Sequence, residues 1–223
     1  RDILIAVFLG TSIYADAFFV AFRLPNTFRR LFAEGTFNAA FIPSYAEEKL
    51  KGEKTGKKFA DEVFNLLLLF LIILILVVEI FTPFLVYLIA PGFYNDPEKF
   101  LLATEFTRIT FPFLLFVSLS SLLSGILNTN NKFAAAAAVP IVLNVVLILS
   151  MLLSFYFNQN FAKNLSIGVT LAGILQLVIL FAFTKKFYFP SLIFRFKIGE
   201  RLKHFFKKLL PSIFSSGITQ INI

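Results

Sequence analysis

The sequence predicts an all-α fold, a polytopic transmembrane helical bundle, and three observations carry that prediction. Hydrophobic residues make up 58% of the 223 positions and the mean hydropathy is +0.82, too apolar for an ordinary water-soluble domain. Several stretches reach the roughly 20 apolar residues that cross a hydrocarbon core, the strongest containing LLLLFLIILILVV. The linkers between them alternate between lysine-rich and lysine-poor, as the loops of a multi-span protein do.

The elements follow in order. Residues 3–9, ILIAVFL, read as the second half of a helix closed by Gly10, Thr11 and Ser12. Asp16 can cap the next helix, because its carboxylate can accept a bond from a free N–H of the first turn. That helix runs to about Glu48. Pro25 is expected to interrupt it by removing a backbone donor, and Gly35 and Pro43 to loosen it further. The third span covers residues 59–89, and Pro91-Gly92 with Asn95-Asp96-Pro97 makes the turn after it. The fourth covers 98–127, with Glu105, Arg108 and Pro112 inside it or near its entrance. NTNNK leads to the fifth, 133–155, which opens with Ala134 to Ala138 and carries Pro140 and Asn144. The sixth covers 165–183, and a seventh starts near Leu209.

Charge orients these spans. The linker after span two holds Lys49, Lys51, Lys54, Lys57 and Lys58, that after span four holds Lys132, and that after span six holds eight lysines and arginines from Lys185 to Lys208. The other linkers hold only Lys99 and Lys163. The basic linkers belong in the cytoplasm, and so does the amino-terminal side of the first helix. This rule also accounts for the net charge of +8 without nucleic acid. Within the last linker, Ile198, Leu202, Phe205 and Leu209 share a helical face, so an amphipathic helix is expected to lie on the cytoplasmic leaflet, drawn by anionic lipid. The domain organisation is therefore a transmembrane lobe over 1–184, a basic linker over 185–208 and the start of a further span over 209–223. The chain opens at Arg1 and stops inside an apolar helix, and it reads as an internal piece of a longer, transporter-sized protein.

The second helix carries the chemistry. DAFFVAFRLPNTFRRLFAEGTFNAAFIPSYAEE is long enough to cross a bilayer yet holds Asp16, Arg23, Arg29, Arg30 and Glu34. A charge at bilayer depth costs roughly 2.5–3.5 kcal/mol on insertion scales, so such residues line a wet cavity, pair with one another or bind a substrate. Most of the five are cationic, which points to an anionic ligand such as a phosphate or pyrophosphate. A guanidinium suits that ligand because it offers two parallel donors to phosphate oxygens. Arg29 and Arg30 point about 100° apart on a helix, so they do not both aim into one narrow cavity. Arg30 and Glu34 are spaced to pair, as are Glu105 and Arg108, and Asn26 and Asn144 are candidate polar groups of a cavity.

Catalytic patterns are missing. No HExxH, GxSxG or Walker-type glycine loop occurs, and the absence of cysteine with a single histidine, His204, removes thiolate chemistry and histidine metal clusters.

The stretch from Asp16 to Glu47, with RD at Arg1-Asp2, APGF at Ala90 to Phe93 and ILNTNNKF at Ile126 to Phe133, resembles the MurJ (MviN) lipid II flippases of the multidrug/oligosaccharidyl-lipid/polysaccharide exporter superfamily. The resemblance covers essentially the whole chain. It implies a bacterial inner-membrane protein of fourteen helices, of which this chain would be the N-terminal six-helix lobe and the start of helix seven. It also implies that Arg1 and Arg29 bind the pyrophosphate of the undecaprenyl-linked peptidoglycan precursor, and that Asp2 orients an arginine. Glu34 would join a periplasmic-side gate and Asp16 would act on helix geometry. A coupling ion, sodium in this resemblance, would bind in the C-terminal lobe, which the chain lacks, so the piece alone should not flip lipid: alternating access needs two lobes. The alternatives are a drug or other polyprenyl-pyrophosphate oligosaccharide exporter of the same superfamily, or a non-transport membrane scaffold. A cationic-drug exporter would want carboxylates where arginines dominate here.

Overall fold

A computed structural model describes residues 1–33, 36–192 and 199–221. Among them lie nine α-helices and one 3-10 turn and no strand. The helices are α1 (Asp2–Leu9), α2 (Ile13–Ala33), α3 (Thr36–Leu50), α4 (Glu53–Ile89), α5 (Pro97–Thr110), α6 (Phe113–Thr129), α7 (Phe133–Tyr156), α8 (Phe161–Thr184) and α9 (Glu200–Ile221). Among the described residues, four stretches are long and apolar enough to cross a membrane: α4, α5 with α6, α7 and α8.

The apolar side chains face outward as well as inward. Ile73, Leu76, Ile80, Phe84 and Leu88 on α4, and Ile141, Val145, Leu149 and Leu152 on α7, are exposed. Meanwhile Thr104, Thr107, Thr110, Ser118, Ser120, Ser121 and Ser154 are buried. Stripes of exposed large hydrophobics around a partly polar interior suit lipid as the outer solvent.

Local signals set the helix ends. Gly10 closes α1 at φ 57°, a left-handed conformation that costs a glycine little. Ser12 starts α2, its Oγ accepting from Ala15 N at 3.2 Å. The cap expected at Asp16 is thus taken one turn earlier, and Asp16 is free to reach another helix. Asp96 caps α5 by accepting from Lys99 N at 3.1 Å, and Asn131, at φ 58°, turns the chain between α6 and α7.

Prolines behave differently from expectation. Pro25 sits inside a continuous α2. Phe111-Pro112, by contrast, separates α5 from α6, and α4 kinks at Phe81, just before Pro83. Near Pro83, Thr82 Oγ1 lies 2.6 Å from the Val78 carbonyl and 3.2 Å from that of Glu79, the acceptor the proline frees.

The chain forms two compact units. The first comprises Arg1–Thr27, Ile73–Phe116 and Val139–Gln176. Helix α8 is its hub. Its Thr170 donates to the Ile109 carbonyl of α5 at 2.5 Å and its Gln176 to the Val139 carbonyl of α7 at 2.9 Å. A Cβ on Gly173 would lie 2.7 Å from the Phe113 ring, so only glycine permits this approach of α8 to α6. Phe8 of α1 packs on Phe155 and Phe161.

The second unit comprises Phe28–Ile72, Val117–Ala138 and Leu177–Ile223. An aromatic core joins Phe41 of α3, Phe59 of α4 and Phe205 of α9, with centroids 5.9–6.5 Å apart. The expectation of a lipid-lying amphipathic helix is corrected here. Leu202, Phe205 and Leu209 are buried, and their face of α9 packs on the chain's own α3 and α4 rather than on lipid. Aromatic partners on α3 and α4 were available to cover the same apolar stripe. Ile198 lies outside the described residues. Helix α9 also runs unbroken through Leu209, so the basic segment and the residues after it share one helix.

Candidate functional site

Three ion pairs are described in the first unit. Arg1 Nε donates to Asp2 Oδ1 at 2.6 Å, and Arg1 Nη1 to Asn144 Oδ1 at 3.4 Å. Asn144 stands on α7, so these contacts place α1's charged end against the middle of a long apolar helix. The Arg1 side chain is 29% exposed. A guanidinium carries five N–H donors in a plane, and two of them are engaged in this way, leaving capacity for an anion.

The second pair ties α2 to α5. Asp16 Oδ2 pairs with Lys99 Nζ at 2.5 Å, and Lys99 also lies 4.7 Å from the Phe93 ring centroid. The third corrects the expected Glu105–Arg108 pair: Glu105 Oε1 bonds Lys163 Nζ of α8 at 2.8 Å. The partner is distant in sequence because α8 packs along α5, which local spacing does not reveal. Arg108 is instead close enough to Glu79 of α4 for their charges to interact.

Asn26, also in the first unit, is half-buried and engaged in an interaction. In the second unit Arg29 is half-buried and engaged as well. Glu34 lies outside the described residues, and so does the Arg30–Glu34 pairing that depends on it. The structure therefore brings Arg1, Asp2 and Asn144 together, gives Asp16 a lysine, and leaves Arg29 half-buried on α2. Sequence reasoning missed Lys99 and Lys163 as tertiary partners. The signal was there: each is the lone cation of a linker otherwise poor in positive charge.

The second unit holds a separate network. Sixteen of the chain's 21 lysines and arginines belong to it. Buried Glu48 receives Lys51 at 2.5 Å and Arg201 at 3.5 Å, Arg201 also reaches Glu62 at 3.6 Å, and Glu47 pairs with Lys208 at 3.0 Å. Asp61 Oδ1 accepts from the Tyr188 hydroxyl and from Ser191 N, both at 2.9 Å. Burial, and then the Asp61 charge, push the Tyr188 hydroxyl well above its ordinary pKa of 10.0. These contacts pin the chain after α8 to α4 and hold α9 against α3; they have the character of a structural clasp.

Comparison with known proteins decides the family. The family model described as lipid II flippase MurJ matches residues 5–223. The chain belongs to the MurJ family. A probable lipid II flippase MurJ of Rhizobium meliloti (strain 1021) is 40% identical over all of this chain and 43% of its own length. One from Rickettsia prowazekii (strain Madrid E) is 42% identical over all of the chain and 44% of its own length. The lipid II flippase MurJ of Burkholderia cenocepacia is 35% identical with the same shares. A solved structure of lipid II flippase MurJ in an inward closed conformation superposes with a TM-score of 0.82 at 29% identity, covering all of this chain and 45% of that one. The chain thus spans less than half the length of the MurJ proteins it matches.

Proposed function

We propose that this chain is the amino-terminal part of a flippase that carries a lipid-linked pyrophosphate, lipid II, across the bacterial inner membrane. The observation that carries the reading is Arg1, held by Asp2 and Asn144 within an apolar helical unit of MurJ type. Asp2 and Asn144 engage two of the guanidinium's donors, and a pyrophosphate matches the planar donors that remain.

In this reading Asp2 and Asn144 orient Arg1, Arg29 supplies a second cation, and Asp16 sets the start of α2 through Lys99. Glu34 would serve a gate. The lysines and arginines concentrated in the second unit support an arrangement with the basic linkers in the cytoplasm. The rest of the protein would complete the cavity and hold any coupling ion. Alternating access then exposes the headgroup site to each side in turn.

The test is binding by the purified full-length protein. Lipid II should bind in competition with inorganic pyrophosphate and more weakly after Arg1→Ala, while a cationic dye should not compete. Binding of the dye without lipid II would favour a drug exporter of the same superfamily instead.

A further inference from the structure

The second unit contains a cavity that no part of the flippase reading uses. It measures about 780 Å³, within the roughly 300–1,000 Å³ range of small-ligand sites. Its walls include Leu127, Ala135, Ile179 and Phe183, drawn from α6, α7 and α8, and Lys132 and Lys186 stand in the lining. Alanines at 134–138 leave the space open, because a run of methyl groups cannot fill the gap that larger side chains would.

The two lysines come from different linkers, Lys132 between α6 and α7 and Lys186 just after α8. Both are exposed, and among the described residues neither makes an ion pair, unlike Lys49, Lys51, Lys99, Lys163, Lys203 and Lys208. An apolar chamber with two such cations, at the end of membrane-spanning helices, complements one kind of molecule: apolar chains carrying an anionic head. We infer that this cavity binds an anionic phospholipid, its phosphate between Lys132 and Lys186 and an acyl chain against Ala135, Ile179 and Phe183. Basic pockets between transmembrane helices recognise lipid headgroups in this way. The inference rests on the helices spanning a bilayer, not on lipid II transport.

The chain has no tryptophan, so Phe183→Trp installs a reporter in the cavity wall with little change of shape. In the full-length protein, otherwise freed of tryptophan, bromine-labelled phosphatidylglycerol should quench this residue far more effectively than bromine-labelled phosphatidylcholine. Lys132→Gln with Lys186→Gln should weaken apparent phosphatidylglycerol affinity about 30-fold, about fivefold per lysine. Lys132→Arg with Lys186→Arg should keep the preference. Equal quenching by the two lipids, or a preference that survives both glutamines, overturns the site. Quenching by neither lipid also overturns it, showing that protein covers the cavity.

Discussion

Thr110 Oγ1 of α5 donates at 3.1 Å to the carbonyl of Ala21 on α2, the acceptor that Pro25, four residues on, leaves without its helical partner. Water is not available to satisfy that carbonyl inside a bilayer, so a neighbouring hydroxyl replaces it. This one contact explains why α2 continues through a proline expected to interrupt it. The same device recurs where Thr170 meets the Ile109 carbonyl beside the Phe111-Pro112 break.

Thr110→Val keeps the side chain's shape and deletes the donor. It should destabilise the full-length protein by about 0.6–1.7 kcal/mol, the range of hydrogen bonds between membrane helices. Thr110→Ser should recover most of the loss. The midpoint of thermal unfolding in detergent checks both.

Gly125 of α6 stands where a Cβ would come within 2.7 Å of both Asn38 Oδ1 and the Phe41 ring. Phe41 is fully buried among other aromatic rings and has nowhere to move. Gly125→Ala should cost about 1–3 kcal/mol by overpacking. The expected readout is a lower yield of monodisperse protein and a lower unfolding midpoint, while an alanine at Gly92, where a Cβ would meet nothing, leaves both unchanged.

Tyr188 gives a pH dependence with a definite sign. Its folded pKa is raised above the ordinary 10.0, so its contribution is fully present below about pH 10 and is lost as pH climbs above it, where the unfolded tyrosine ionises and the buried one stays protonated. Unfolding midpoints of the wild type should therefore fall more steeply than those of Tyr188→Phe between about pH 9 and about pH 11. At neutral pH the variant should cost about 1.5–3 kcal/mol, the loss of a hydrogen bond to the charged Asp61.

Much of this architecture was legible in the sequence. The third, fifth and sixth spans end no more than six residues from the ends of α4, α7 and α8, because long apolar runs need no tertiary context. Helix α4 begins earlier than its apolar run since EKTGKKFADE continues the helix in polar form, with Lys49 and Glu53 paired across its start. What was not legible was pairing between helices. Glu105 chooses Lys163 over Arg108, and Asp16 chooses Lys99 over the cap, only because α5 lies beside α8 and α2. The apolar stripe of α9 was visible, but whether lipid or Phe37, Phe41 and Phe59 covers it depends on where the chain turns back. Within the site, the family resemblance pointed to Arg1 and Asp2 and the sequence offered Asn144 as a candidate cavity amide, and only the fold joined them.

The account stands on cationic side chains at membrane depth binding a pyrophosphate lipid, and Arg29 tests it most directly. Transbilayer movement of lipid II should be measured in cells depleted of the native flippase and supplied with full-length Arg29→Ala, Arg29→Lys or Arg108→Ala at matched abundance. The account predicts that Arg29→Ala abolishes movement and Arg29→Lys restores it poorly, because an ammonium lacks the two parallel donors. Arg108→Ala should lower folded yield while each folded molecule still moves lipid. Normal lipid II movement with Arg29→Ala would contradict it.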